Sequence, residues 1–173
     1  YFACGTEPWI IARYFEYQED FKRTPFLEKI RLLTNSDVKD AKFNIRLYSV
    51  NANGEPEGYI FDKNLIGIAK QGKKISEIDL SDFNIVFPKK GFFIAFEWLI
   101  VDDNRYEYNY TMLDSKEKLK GISYEPSIGT VPAETDENGW KFYKGKWTKV
   151  WKNKNGTLER YKDKYRLIAI ELT

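Results

Sequence analysis

Two-residue alternation in short, aromatic-rich runs constrains this chain more than any other feature. Residues 43–50 are the cleanest case, with Phe43, Ile45 and Leu47 on one side and Asn44, Arg46 and Tyr48 on the other. Successive side chains of a strand point to opposite faces, so this is a strand with one covered face. Residues 92–100 place Phe92, Ile94, Phe96 and Trp98 on one face and stay largely apolar on the other, as a central strand covered on both sides does. Shorter runs of the same kind occupy 10–16, 26–34, 65–69, 74–80, 83–87, 140–143, 147–151 and 166–172. In 26–34, Phe26, Ile30 and Leu32 share a face with Glu28.

Turn residues punctuate these runs. Asn51-Ala52-Asn53-Gly54-Glu55-Pro56, Gln71-Gly72, Pro88 with Gly91, Gly145, and Asn153-Lys154-Asn155-Gly156 all fall between strand-like segments. With 12 Tyr, 12 Phe and 5 Trp, the composition suits pleated, half-buried surfaces. Nine or ten short strands without intervening amphipathic helices argue for a sandwich or barrel. The long, irregular connections between 101 and 138 favour crossing connections over a meander. The expectation is an all-β, antiparallel sandwich of jelly-roll type, formed by residues 1–173 as one domain.

Several chemistries are excluded at once. The chain has no histidine, the usual general base at neutral pH and the commonest metal ligand. Ser-His-Asp and Cys-His catalysis and histidine-ligated zinc are therefore impossible within it. Cys4 is the single cysteine, so no internal disulfide forms. No apolar run approaches the roughly 18 residues of a membrane span, and no signal peptide is visible. The opening Tyr1-Phe2-Ala3-Cys4 lacks an initiator Met, as in a piece of a longer precursor. Phe2-Ala3-Cys4-Gly5 is loosely similar to the end of a lipoprotein cleavage box but has no aliphatic residue three places before the cysteine. A buried or strand-end thiol is the expectation.

A set of segments carries a family resemblance. It runs through Ile11-Ala12-Arg13-Tyr14-Phe15, Phe43-Asn44-Ile45-Arg46-Leu47-Tyr48-Ser49-Val50, Asn53-Gly54-Glu55-Pro56 and Leu65-Ile66. It continues through Ile78-Asp79-Leu80-Ser81, Asn84-Ile85 and Gly91-Phe92-Phe93-Ile94-Ala95-Phe96-Glu97-Trp98, and closes on Trp147 and Leu167-Ile168-Ala169-Ile170. Together these resemble the β-sandwich domain of Bacteroidetes envelope proteins that carry a carboxypeptidase-regulatory-like domain. The resemblance implies an accessory domain of the cell envelope or a secreted protein, with carbohydrate-binding modules as the nearest functional analogy. It hands over no ligand-binding residues.

Residues 141–166 are the most unusual stretch. Ten basic residues stand against Glu159 and Asp163, so the segment carries +8 and the rest of the chain −6 of the total +2. Trp140, Tyr143, Trp147, Trp151, Tyr161 and Tyr165 are interleaved with them. Two readings stand open. In one, Trp140, Tyr143, Trp147 and Trp151 with Lys149 form an exposed platform for sugar rings, the lysines favouring acidic glycans or phosphates. In the other, the tryptophans line the core and the lysines protect an edge hairpin from aggregation. No nucleic-acid motif accompanies the basic residues, and no nucleic-acid partner is expected. Tyr106, Tyr108 and Tyr110 fall on one side of a strand, either as a second binding surface or as a half-buried face with wet hydroxyls.

Two glutamates interrupt apolar runs, Glu97 and Glu171. Sharing a cleft, they would be the pair a glycosidase needs; otherwise each faces solvent or pairs with an arginine such as Arg46 or Arg13. Asn51, Asn53 and Glu55, and Asp102, Asp103 and Asn104, are oxygen-rich groups of the kind that bind structural calcium, though neither completes a known loop. No cofactor is expected. The leading expectation is a non-catalytic, glycan-contacting module. A structural domain docking on neighbouring domains is the alternative, and a carboxylate-based glycoside hydrolase the third.

Overall fold

The computed structural model describes residues 1–112, 116–154 and 158–173. Among them fifteen strands form. The first eight are β1 (Phe2–Cys4), β2 (Ile10–Phe15), β3 (Lys29–Ser36), β4 (Ala41–Val50), β5 (Pro56–Ala69), β6 (Gly72–Asp79), β7 (Phe92–Trp98) and β8 (Arg105–Thr111). The others are β9 (Lys118–Ile128), β10 (Thr130–Ala133), β11 (Gly139–Tyr143), β12 (Lys146–Lys149), β13 (Lys152–Asn153), β14 (Lys164–Ile168) and β15 (Ile170–Leu172). Among the described residues no helix is long and apolar enough to cross a membrane.

The strands form two large antiparallel sheets and a small one. One large sheet runs β12-β11-β2-β7-β4-β5. The other runs β1-β9-β3-β15, with β6 added on β3 and β8 on β9, and β10-β14-β13 is the small sheet. The chain crosses between the large sheets again and again, from β2 to β3, β3 to β4, β5 to β6, β6 to β7 and β7 to β8. Such crossing is the connectivity of a sandwich and not of a meander. The all-β antiparallel sandwich expected from the alternation is what forms. Its strands outnumber the nine or ten expected because the irregular stretch 101–138 contains β8, β9 and β10, the final run divides into β14 and β15, and the short strands β1 and β13 were not anticipated.

Alternation explains the core. Ile11 from β2, Phe43, Ile45 and Leu47 from β4, and Phe92, Ile94, Phe96 and Trp98 from β7 all point between the sheets. They meet Phe2, Cys4, Ile30, Leu32, Ile78, Ile128 and Ile170 from the facing sheet. Each fully buried large side chain contributes about 1.5–3 kcal/mol. Trp98 can lie there because its indole N–H donates to the Pro126 carbonyl at 2.7 Å. The other face of β7 is covered as well: Phe93 and Ala95 join Ala12, Tyr48 and Trp140 in a second buried cluster.

That second cluster requires a curled sheet. Three strands separate β12 from β4, so a flat sheet would hold them about 19 Å apart. Yet the Trp147 ring on β12 meets the Tyr48 ring on β4 edge-on, with centroids 5.2 Å apart. The β11–β12 hairpin therefore bends over the outer face of its own sheet.

Two expected details differ. Residues 83–87 form no strand; a 3₁₀ turn at Ser81–Phe83 leads to a single bridge between Phe26 and Val86. Ile85 and Phe87 still plug the core, which is what made the stretch look strand-like. Phe26 is exposed, because β3 begins at Lys29 and Leu27 takes the buried place instead. Of the expected turn at 153–156, Asn155 and Gly156 lie outside the described residues.

Candidate ligand-binding site

On β11, Trp140 and Phe142 face the second cluster, while Lys141 and Tyr143 face the opposite side, in register with Ile11 of the core row. Past the edge of the core, this side is lined by the N-terminal segment and residue 151. Trp9 stacks on Trp98 with centroids 4.7 Å apart and planes 23° apart. Phe2 meets Trp9 and Trp151 edge-on at 5.6 and 5.9 Å. The Trp9 indole N–H donates to the Ala3 carbonyl at 3.3 Å, which fixes the ring.

The result is an open recess of about 200 Å³ lined by Trp9, Lys141, Tyr143 and Trp151. Trp151 is 45% exposed. The Lys141 ammonium sits 4.7 Å from its ring centre, a cation–π geometry. At the rim the Tyr143 hydroxyl donates to the Glu7 carboxylate, and the Lys144 ammonium lies 5.1 Å from the Tyr143 ring. Cys4 steadies the loop bearing Glu7, its Sγ lying 3.4 Å from the carbonyl oxygens of Gly5 and Glu7. Aromatic faces thus meet an ammonium, a hydroxyl and a carboxylate at one concave spot. Chemically, this can hold a group with one apolar face and a polar edge.

The structure divides the expected platform. Tyr143 and Trp151 share the recess, but Trp140, Trp147 and Lys149 do not join it. Trp140 is 6% exposed, buried with Ala12, Tyr48, Phe93 and Ala95. Among the described residues its indole N–H has no hydrogen-bond partner. Lys149 lies across it, the ammonium 4.5 Å from the ring centre and donating to the Glu137 carbonyl at 2.7 Å. Trp147 packs against Tyr48 and Phe142. The physical reason is the end of β12. The strand stops at Lys149, the Val150 N–H donates to the Gly139 carbonyl, and Trp151 leaves on the other side of the hairpin from Trp147. Trp140 is thus buried, and Trp147 and Lys149 lie half-buried beside it, apart from the recess.

Tyr106, Tyr108 and Tyr110 do form one row. Tyr106 and Tyr108 stack with centroids 6.3 Å apart, and Tyr110 follows at 6.0 Å. The row rides on the ribbon of β8 and the first half of β9, where Tyr108 lies flat over Gly121, its cross-strand partner. A Cβ at position 121 would come within 2.4 Å of Tyr108 Cζ, so glycine is what admits this packing.

The two glutamates do not share a cleft. Glu97 on β7 points to the outer face of its sheet, accepting from Asn44 Nδ2 at 2.7 Å and Arg46 Nε at 3.3 Å. Glu171 on β15 is exposed on the opposite sheet and pairs with Arg31 at 3.3 Å. Several of the oxygens considered for calcium are engaged elsewhere. Asn51 Oδ1 accepts from the N–H groups of Asn53 and Glu55 at 2.8 and 3.0 Å, closing a hairpin turn. Asn104 is buried, bonded to both backbone groups of Lys42 and to the Leu99 carbonyl, and Asp103 pairs with Lys42. Among the described residues no three acidic or cysteine side chains group closely enough to hold a metal ion.

Trp9, Glu7 and Lys141 complete the recess and were not singled out as site residues in the sequence. Trp9 follows Pro8 at the start of β2 and falls in the same alternation row as Ile11, so its pattern reads as core. The distant pairing of β2 with β11 is what brings it to Trp151. Compared with family models, curated proteins and solved structures, the chain matches none.

Proposed function

We propose that this chain is a non-catalytic module that contacts glycans through the recess of Trp9, Lys141, Tyr143 and Trp151. The resemblance of its strand segments supports a setting in a bacterial envelope or secreted protein. The observation that carries the reading is the recess itself: an exposed tryptophan face beside a second tryptophan, rimmed by an ammonium and a tyrosine–carboxylate pair. A pyranose has a C–H face that stacks on such rings and hydroxyls that meet the polar rim. The basic balance of residues 141–166 favours sugars bearing carboxylate or sulfate. Glu97 and Glu171, each held by its own arginine on opposite sheets, support leaving catalysis out of the proposal.

A glycan array tests this. Binding should fall at least tenfold in Trp151→Ala, and Lys141→Ala should weaken acidic glycans more than neutral ones. An array with no bound glycan, or binding unchanged by Trp151→Ala, overturns the reading. A second reading, a docking domain within a longer protein, has its own support in the β8–β9 ribbon. Its tyrosine row is largely solvent-facing, and a two-stranded ribbon gains stability when something covers it.

A further inference from the structure

β2 directs Ile11, Arg13 and Phe15 to the inner side of its sheet. Ile11 is fully buried and Phe15 packs on the core, so Arg13 places a cation in a row that is otherwise apolar. Its guanidinium lies 5.2 Å from the Phe15 ring centre and donates Nη1 to the Ile168 carbonyl at 3.1 Å. Among the described residues no carboxylate forms an ion pair with it. A guanidinium carries five N–H donors, and this backbone carbonyl accepts from one. Arg13 is half-buried, and withdrawing even part of a cation from water without a counter-charge has a cost.

The place is distinctive in the fold. Here the last strand changes sheets: β14 pairs with β10, β15 pairs with β3, and Ala169 between them donates its N–H to the Gly129 carbonyl. Beside the switch lies a pocket of about 250 Å³ with Arg13 in its lining and walls of Leu33, Ile75, Val131, Ala169 and Ile170. Ile75 is 52% exposed, an apolar wall turned to solvent. Arg31 and Glu171 also line the pocket. Arg31 is already neutralised, its Nε 3.0 Å from Glu77 and its Nη1 3.3 Å from Glu171. One uncompensated cation therefore remains, within apolar walls. The pocket shares no lining residue with the tryptophan recess.

We infer that this pocket binds a carboxylate carried on a compact apolar group. The carboxylate takes the free donors of Arg13 as a charge-assisted pair, and the hydrocarbon lies on Leu33, Ile75 and Val131. A phosphate would bring a second negative charge against a single free guanidinium and leave the apolar walls unused. The space suits a chain of about four to six carbons, given about 30 Å³ per displaced water.

The test is a ¹⁵N NMR titration of the intact chain with butanoate, with butanamide as neutral isostere and N-acetylvaline as a peptide carboxyl terminus. Butanoate should shift the amide signals of Val131, Ala169 and Ile170 saturably, at least tenfold more tightly than butanamide. Arg13→Gln should abolish the shift. N-acetylvaline binding as well as butanoate assigns a peptide terminus as the source; markedly weaker binding assigns a free acid. No saturable shift with butanoate, an equal response to butanamide, or a shift retained in Arg13→Gln overturns the inference. Should Arg13→Gln not fold, butanoate against butanamide on the unaltered protein decides.

Discussion

Trp140 and Trp151 lie on opposite sides of the β11–β12 hairpin, each beneath a lysine ammonium, at 4.5 and 4.7 Å respectively. Their chemistry is the same, yet Trp140 is 6% exposed and Trp151 45%. The difference comes from what reaches each ring. On the outer side the sheet curls until Trp147 touches Tyr48, and the curl seals Trp140 with Phe93 and Ala95. On the other side Trp151 meets Phe2 and Trp9 but stays largely open to solvent. A tryptophan–lysine pair thus becomes core or site according to sheet curvature, which depends on strand order and not on the local residues.

The largest effect tests the sealed side. Trp140→Ala should lower stability by about 3–5 kcal/mol in urea unfolding, the usual loss for a large buried aromatic. Trp140→Phe should lose much less, because the indole N–H it removes has no partner among the described residues to give up. Trp151→Ala should cost about 1 kcal/mol or less, since much of its ring already faces water. Equal losses for the two alanine variants would break the comparison and make the recess part of the core.

The lysines give a smaller contrast. Lys149→Ala should cost about 1 kcal/mol, since its ammonium is fixed by the Glu137 carbonyl as well as by Trp140. Lys141→Ala should cost about 0.5 kcal/mol, and that part should fade with added salt. A greater loss for Lys141 would mean that the open side relies on its cation as much as the closed side does.

The same contrast marks what was legible beforehand. β4 and β7 were readable because each has a row of apolar residues at every second position, and β7 has apolar residues on both faces. Most of β5 was not, since Gly58, Asp62, Lys63 and Asn64 lie on an edge strand whose exposed positions need no apolar residue. The tyrosine row of β8 was visible as alternation, but its long partner β9 was hidden by lysines that solvate the ribbon. Tyr143 and Trp151 were picked out by aromatic and basic composition. Their separation from Trp147 was not, because it turns on where β12 stops. Trp9 and Arg13 were invisible as site residues for one reason: each sits in a core register, and its neighbours come from strands far along the chain.

The last contrast asks how deep the openness of the recess extends. Cys4 lies just behind it on β1, 1% exposed, and burial pushes its thiol up to about 11 from 9.0. At pH 8 the thiolate fraction is then about 10⁻³, against about 10⁻¹ in the unfolded chain. Iodoacetamide should therefore alkylate the folded protein at least a hundredfold more slowly than the urea-unfolded chain, and burial adds to that protection. The raised value also sets a sign for stability. Below pH 9 both states keep the proton and Cys4 contributes no pH dependence. Between about 9 and 11 the unfolded chain releases a proton that the fold retains, so stability falls as pH rises through that window. Rapid alkylation at pH 8 would mean that β1 opens together with the recess, and Trp9 and Trp151 would then line a fraying edge. Slow alkylation would confine the openness to the two ring faces, with Cys4 holding Glu7 against Tyr143 as a built rim.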